Sequence, residues 1–329
     1  MGKNIDYVLF RDLHEVPDCL GNYLDCFYSD WDVEFVNAFG KGELTAGEFR
    51  AKTGLSEAEA ARDLHIAYKD FLINKKETAD GEVCYFLDNF YNKMDYECKR
   101  NIEKYLAIPR KVREALDQWC IDEYKVRQAD YFNGLKNGTT ETREAFLNYD
   151  EIDEYFKDTK HAVVFTCNCR ILHNGCDKPV QACIRCDGAI DERTFGKNLN
   201  RDEVIAAVKD LRKAGLMQNV EADWRNLEGK RHMCNCCDCC CYPMRVEQEM
   251  DIRTRRVRVA VWDSKKCNHC GACINRCNFG VFAYTGKNVS VDGELRQEIA
   301  FDSRKCWGCS ICVDTCEVGA LSMRDLRID

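Results

Sequence analysis

Eight cysteines repeat one spacing twice. Cys267, Cys270, Cys273 and Cys277 form C-x2-C-x2-C-x3-C, and Cys306, Cys309, Cys312 and Cys316 form it again. Gaps of two residues let three thiolates of one loop wrap three corners of an iron–sulfur cube. The fourth thiolate is carried off on the following turn, where it reaches the other cube. The spacing therefore predicts one [4Fe–4S] cluster on Cys267, Cys270, Cys273 and Cys316, and a second on Cys306, Cys309, Cys312 and Cys277. The crossing ties both halves together, so a small module gains from metal the stability its core could not supply. A pair of zinc sites is the competing reading, but zinc favours two CxxC pairs separated by a longer gap.

The elements that carry these loops repeat as well. Asp263-Ser264-Lys265-Lys266-Cys267 returns 39 residues later as Asp302-Ser303-Arg304-Lys305-Cys306, and Gly280 returns as Gly319. Arg256 to Trp262 alternates with period two and predicts the strand that opens the module. On these motifs, residues 256–325 resemble the bacterial two-cluster ferredoxin family. The sequence departs from that family where a proline usually follows the fourth cysteine: Asn278 and Glu317 stand there. Proline is not a ligand, so the departure bears on the local turn rather than on the clusters.

A second cysteine-rich stretch lies upstream. Cys167, Cys169, Cys176, Cys183 and Cys186 are followed by Cys234, Cys236, Cys237, Cys239, Cys240 and Cys241. Eleven thiols in 75 residues cannot all be inert core, and adjacent cysteines on one loop point in divergent directions. The run predicts two centres, or one centre with surplus thiols. Cys169, Cys176 and Cys183 are the leading ligands for at least one further iron–sulfur cluster, with a fourth thiolate from Cys236, Cys237, Cys239, Cys240 or Cys241. A zinc site of four cysteines, a non-cubane cluster on the paired cysteines, and redox-active dithiols remain alternatives. His173, His232 and His269 lie near these positions and read as surface or supporting residues.

The chain has 24 cysteines, 5 in residues 1–166 and 19 in residues 167–329. Without an export signal at the N-terminus, such density predicts a cytoplasmic metal protein rather than a disulfide scaffold. The formal charge of −8 argues against a whole-chain grip on nucleic acid. No apolar stretch reaches the roughly 18–20 residues of a membrane span. No G-x-G-x-x-G and no P-loop motif occurs, so the sequence carries no flavin or nicotinamide signature.

The expected fold class is an α+β multidomain chain. Residues 1–98 form a helical, winged-helix-like domain, 99–160 connecting helices, 161–245 a Cys-rich iron–sulfur domain and 246–329 a two-[4Fe–4S] ferredoxin domain. In the first, Thr45 with Glu48 and Ser56 with Glu59 are capping boxes, and the second helix presents Ala60, Leu64, Ala67 and Phe71. A hairpin follows, turning at Asp80-Gly81. In the Cys-rich stretch, Asn200 and Glu203 cap a helix lined by Val204, Val208 and Leu211 and ended by Gly215.

The order of these parts resembles a group of anaerobe ferredoxin-type 4Fe–4S binding proteins. The motifs are Cys167/Cys169-Arg170, Gly175-Cys176 with Pro179, Ala214-Gly215-Leu216 and Cys234 to Cys241. The resemblance spans residues 40–325 and implies iron–sulfur electron transfer, as a protein or as a subunit of an anaerobic oxidoreductase with a redox partner protein. Two other readings compete: a reductase with a catalytic cluster or thiol site in 161–245, and a redox-sensing DNA-binding regulator. The would-be recognition helix, Ser56 to Phe71, carries a net charge of −2, which argues against DNA. Arg253, Arg255, Arg256 and Arg258 form a basic run, read as a strand face balancing cluster charge or as a dock for an acidic partner.

Overall fold

The computed structural model describes residues 6–227, 230–254 and 256–326. The chain forms two compact units, the first Met1–Tyr124 with Asn168–Asn174, the second Lys125–Cys167 with Gly175–Asp329.

In the first unit, helices Tyr7–Leu13 and Asp30–Phe39 precede strand β1 (Glu43–Thr45). Helices Ala46–Thr53 and Glu57–Lys69 follow, then β2 (Ile73–Glu77) and β3 (Val83–Leu87), which join β1 in a sheet of order β1-β3-β2. Local chemistry sets the boundaries. Thr45 with Glu48 and Ser56 with Glu59 both form reciprocal capping boxes, and Gly54 ends the first of these helices in the left-handed conformation. Ala60, Leu64 and Ala67 are buried against Phe35, Phe39 and Phe49 in one aromatic core. Phe71 departs from that face. The helix stops at Lys69, Phe71 takes φ +56°, and its ring packs on Tyr96 at 4.3 Å. Cys98 and Cys120 belong to the same core, where burial pushes the Cys120 thiol well up, as for a small hydrophobe.

The second unit holds a six-stranded antiparallel sheet of order β4-β8-β9-β6-β5-β7. Its strands are β4 (Glu144–Phe146), β5 (Ala162–Thr166), β6 (Gln181–Asp187), β7 (Lys197–Leu199), β8 (Met217–Glu221) and β9 (Lys230–Cys236). Helix Arg201–Lys213 packs Val204 and Val208 against Val164, Ile184 and Met233 of the sheet. Asn200 and Glu203 make its capping box, and Gly215, φ +88°, follows its C-cap Ala214.

The cysteine repeat lies between β10 (Arg258–Trp262) paired with β13 (Leu321–Asp325), and the hairpin of β11 (Phe282–Val291) with β12 (Glu294–Phe301). The hairpin turns at Asp292-Gly293, both with positive φ, the pair a two-residue turn of matching twist demands. Within the basic run, Arg253 and Arg256 are half-buried. Arg258 is 8% exposed and grips Glu151 with two hydrogen bonds of 2.7 Å, so it anchors β10, while Arg255 lies outside the described residues. Burial alone would raise the Glu151 pKa, but Arg258 and Arg225 hold it below the usual carboxylate range.

Candidate iron–sulfur and metal-thiolate centres

The two C-terminal loops share a backbone as well as a spacing. His269 and Gly308, at equivalent positions, have φ +53° and +80°; Gly271 and Ser310 have +81° and +57°; Gly280 and Gly319 have +64° and +62°. These left-handed residues turn amide hydrogens toward sulfur. The His269 N–H donates to Cys267 Sγ and the Gly308 N–H to Cys306 Sγ, both at 3.4 Å. The Ala320 N–H donates to Cys316 Sγ at 3.2 Å, and its equivalent, Val281, donates to Cys277. Such donors lower the cost of holding negative charge on thiolates and tune a thiolate-bound cluster. The donor set therefore fits [4Fe–4S] clusters.

The loops also pass thiols to one another. Burial and then the neighbouring Cys267, Cys270 and Cys316 push Cys273 up to about 11. Burial pushes Cys312 well up, and its thiol neighbours include Cys309, Cys306 and Cys277. Cys316 of the second copy thus lies near Cys273, and both Cys273 and Cys277 of the first lie near Cys312.

Their surroundings differ. Cys270 is exposed and Cys267, Cys273 and Cys316 are half-buried, whereas Cys306, Cys309 and Cys312 are buried. Burial drives Cys309 up to about 12, and the Arg212 guanidinium opposes it. Arg212 is 1% exposed. It pairs with Asp314 and donates to Ser310 Oγ at 2.9 Å and Gln218 Oε1 at 2.7 Å. Gln218 Nε2 donates in turn to Asn235 Oδ1 on β9 at 3.0 Å, and Asn235 Nδ2 to the Ala182 carbonyl at 2.8 Å. A satisfied buried network thus runs from the second loop to the strand that carries Cys234 and Cys236.

The upstream thiols fall into two sets. Successive side chains of a strand point to opposite faces, so Cys234 and Cys236 share one face of β9 with His232, while Met233 lies in the core. Cys183 of β6 is paired in register with Cys234. Along this face runs a row of neighbouring thiols: Cys167 beside Cys183, Cys183 beside Cys234, Cys234 beside Cys236, and Cys236 with Cys241 at 3.6 Å. His232 Nε2 lies 3.8 Å from Cys234 Sγ. Cys236 and Cys241 share an apolar core with Trp307, Cys309 and Ile311 of the second ferredoxin loop.

The other set is compact. Cys176, Cys237, Cys239 and Cys240 place all four sulfurs within 4.8 Å of one another. The Cys240 and Cys176 sulfurs are 3.4 Å apart, and those of Cys239 and Cys240 3.7 Å. The structure thereby distributes the upstream ligand candidates: Cys176 goes with Cys237, Cys239 and Cys240, and Cys183 with Cys236 and Cys241. Cys169 sits on helix Asn168–His173 of the first unit. Cys186 lies on the opposite face of β6 from Cys183, inside the core under helix Arg201–Lys213. His173 pairs with Asp117 at 2.9 Å, and His269 Nδ1 accepts the Ile299 N–H at 3.0 Å; both support rather than ligate.

Sequence reasoning passed over Arg212 and read Cys234 only as part of a run. The alternation His232-Met233-Cys234-Asn235-Cys236 was the available signal for the row. Nothing local marks Arg212, whose partners lie as far away as Ser310 and Asp314.

The family model of the 4Fe-4S dicluster domain matches residues 266–321, so the C-terminal part is an iron–sulfur, ferredoxin-type module. Comparison with curated proteins and with solved structures returned no match. Among the described residues, no helix is long and apolar enough to cross a membrane.

Proposed function

We propose that this protein carries electrons between a redox partner protein and a metal–thiolate centre in residues 161–245, as an electron-transfer protein or the electron-transfer subunit of an anaerobic oxidoreductase. Cys267, Cys270, Cys273 and Cys316 would hold one [4Fe–4S] cluster, and Cys306, Cys309, Cys312 and Cys277 the other. Each cluster, when bound, supplies one-electron redox chemistry. The observation that carries the reading is the apolar core joining Cys309 and Trp307 to Cys236 and Cys241. It sets the buried loop directly against the thiol row, while Cys270 stays open to an external partner. The row of Cys183, Cys234, Cys236 and Cys241 is the place for the further iron–sulfur centre. We read the helices and three-stranded sheet of residues 30–87 as a winged helix used for docking. Glu57 and Glu59 are exposed on its third helix, where a DNA reader would present cations.

A second reading rests on Cys234, half-buried beside His232. That pairing suits a reactive thiol and hence a reductase site. Anaerobic purification followed by iron, sulfide and EPR measurement on the reduced protein tests the first reading. Two interacting [4Fe–4S] signals, with iron above about eight per chain, are expected. Eight irons alone, with Cys234 open to alkylation in the loaded protein, would favour the reductase reading. Absence of cluster signals from the loaded chain would defeat both.

A further inference from the structure

The compact set of four thiols has a geometry of its own. Four thiolates around one ion at about 2.3 Å stand about 3.8 Å apart along each edge of the tetrahedron. The sulfurs of Cys176, Cys237, Cys239 and Cys240 lie within 4.8 Å of one another, with edges of 3.4 and 3.7 Å. A cubane separates its ligands further, because each thiolate sits on a different iron corner. The row differs again. Its thiols are strung neighbour to neighbour, and none of its triplets closes into a group of this kind among the described residues.

We propose that Cys176, Cys237, Cys239 and Cys240 form a closed, mononuclear zinc site, separate from the iron–sulfur relay. Four thiolates saturate a tetrahedral d10 ion and leave no position for substrate, the mark of a structural site. With a divalent ion the group keeps a charge of −2. Lys178, two residues from Cys176 and 3.8 Å from Asp238 of the same loop, lies beside it. Helix Tyr242–Met250 begins immediately after Cys241 and turns its positive end toward the loop. Gln248 of that helix donates to the Asp238 carbonyl at 2.9 Å, which fixes the turn the ligands share.

The consequence concerns the neighbours in sequence. Cys236 precedes the first ligand of the loop and Cys241 follows the last. A metal that clamps 237, 239 and 240 on one side aims 236 and 241 at the other, toward Trp307 and Cys309. Zinc here would be a scaffold that positions the relay without taking part in it.

The test uses the full chain, purified anaerobically, with metal analysis and zinc K-edge absorption. One zinc per chain bound by four sulfurs at about 2.3 Å is expected. Cys240→Ser is expected to lose that zinc and keep the iron, sulfide and EPR signals of the ferredoxin clusters. Cys186→Ser, a buried thiol outside the set, is expected to keep zinc. If a variant fails to fold, the absorption spectrum of the wild-type protein still decides. Wild-type protein without zinc, or iron and sulfide falling together in Cys240→Ser, overturns the proposal. Loss of the ferredoxin EPR signals in a protein that keeps its zinc would count against the relay alone.

Discussion

The loop of residues 267–277 and the loop of residues 306–316 have the same ligand spacing, the same left-handed turns and the same N–H to sulfur bonds, in different surroundings. Cys270 faces solvent at the head of the first loop, where His269 stands against Trp262 and the edge of β12. Cys309, its counterpart, is buried beside Trp307, with Arg212 beneath it and the thiol row across a shared core. A repeated motif thus fixes the cage, and the non-repeated residues fix what the cage faces. Burial and nearby cations shift a cluster's potential, so on the proposed ligand assignment the two loops would hold clusters of different potential.

The largest expected effect separates the loops at their counterpart thiols. Cys309→Ser and Cys270→Ser each remove one ligand, and each is expected to cost about four irons per chain. Only Cys309→Ser also opens the core it shares with Cys236 and Cys241. Its thermal midpoint is expected to fall well below that of Cys270→Ser, by differential scanning calorimetry on both loaded proteins. Equal midpoints would mean that burial contributes nothing beyond the metal.

Next comes the cation under the buried loop. Arg212→Met strands Asp314 and Gln218 Oε1 and takes one of two donors from the Leu147 carbonyl, which keeps Ser310 Oγ. Removing one member of such a buried network costs about 3 kcal/mol, read by urea unfolding. In redox titration followed by EPR, the cluster of the buried loop is expected to move to a more negative potential, because a neighbouring positive charge is gone. The cluster of the exposed loop is expected to stay. A shift of both would show that Arg212 acts through the fold as a whole.

The parts of this comparison legible in the sequence are those made by near neighbours. The cysteine spacings within each copy of the repeat, the capping boxes at Thr45, Ser56 and Asn200, and the Asp80-Gly81 turn depend on residues within a few positions of one another. Their chemistry survives any tertiary arrangement. What the sequence did not show is set by partners far along the chain. Cys176 and Cys183 read alike as candidate ligands, yet sheet pairing sends Cys183 to Cys234 while a loop brings Cys176 to Cys240. Arg258 read as surface charge because its partner, Glu151, is 107 residues away.

Gly308 sharpens the comparison at the backbone. A Cβ there would lie 2.7 Å from the Arg258 carbonyl oxygen, at φ +80°. Gly308→Ala is expected to cost about 2–3 kcal/mol, since strain in the left-handed region adds to a contact with rigid backbone. The readout is the unfolding midpoint, with the N–H to Cys306 bond and the buried cluster expected to be disturbed together.

Glu151 should be felt more gently, through the strand that supports this loop. Its folded pKa is lowered, so the stability it contributes is present above the unfolded value of about 4.3 and is lost as pH falls through the folded one. Glu151→Gln is expected to lower the thermal midpoint at neutral pH. The gap from wild type should then shrink as the solution is acidified below about pH 4.3. A gap that does not change with pH would assign the effect to packing rather than to the pair with Arg258.

The smallest effect belongs to His269, the counterpart of Gly308. Its φ of +53° is unfavourable for a side chain, and His269→Gly relieves that. The same change removes the acceptor for the Ile299 N–H at 3.0 Å and the edge contact with Trp262. Relief and loss are each about 1 kcal/mol, so stability is expected to move by less than either alone. The mutation should still show in the exposed cluster, because the 269 N–H that donates to Cys267 would sit on a looser backbone. Its EPR signal is expected to broaden while that of the buried cluster is unchanged. If instead His269→Gly destabilises the fold as strongly as Gly308→Ala, the exposed loop is held by its surroundings as tightly as the buried one, and the contrast between them lies in solvent access alone.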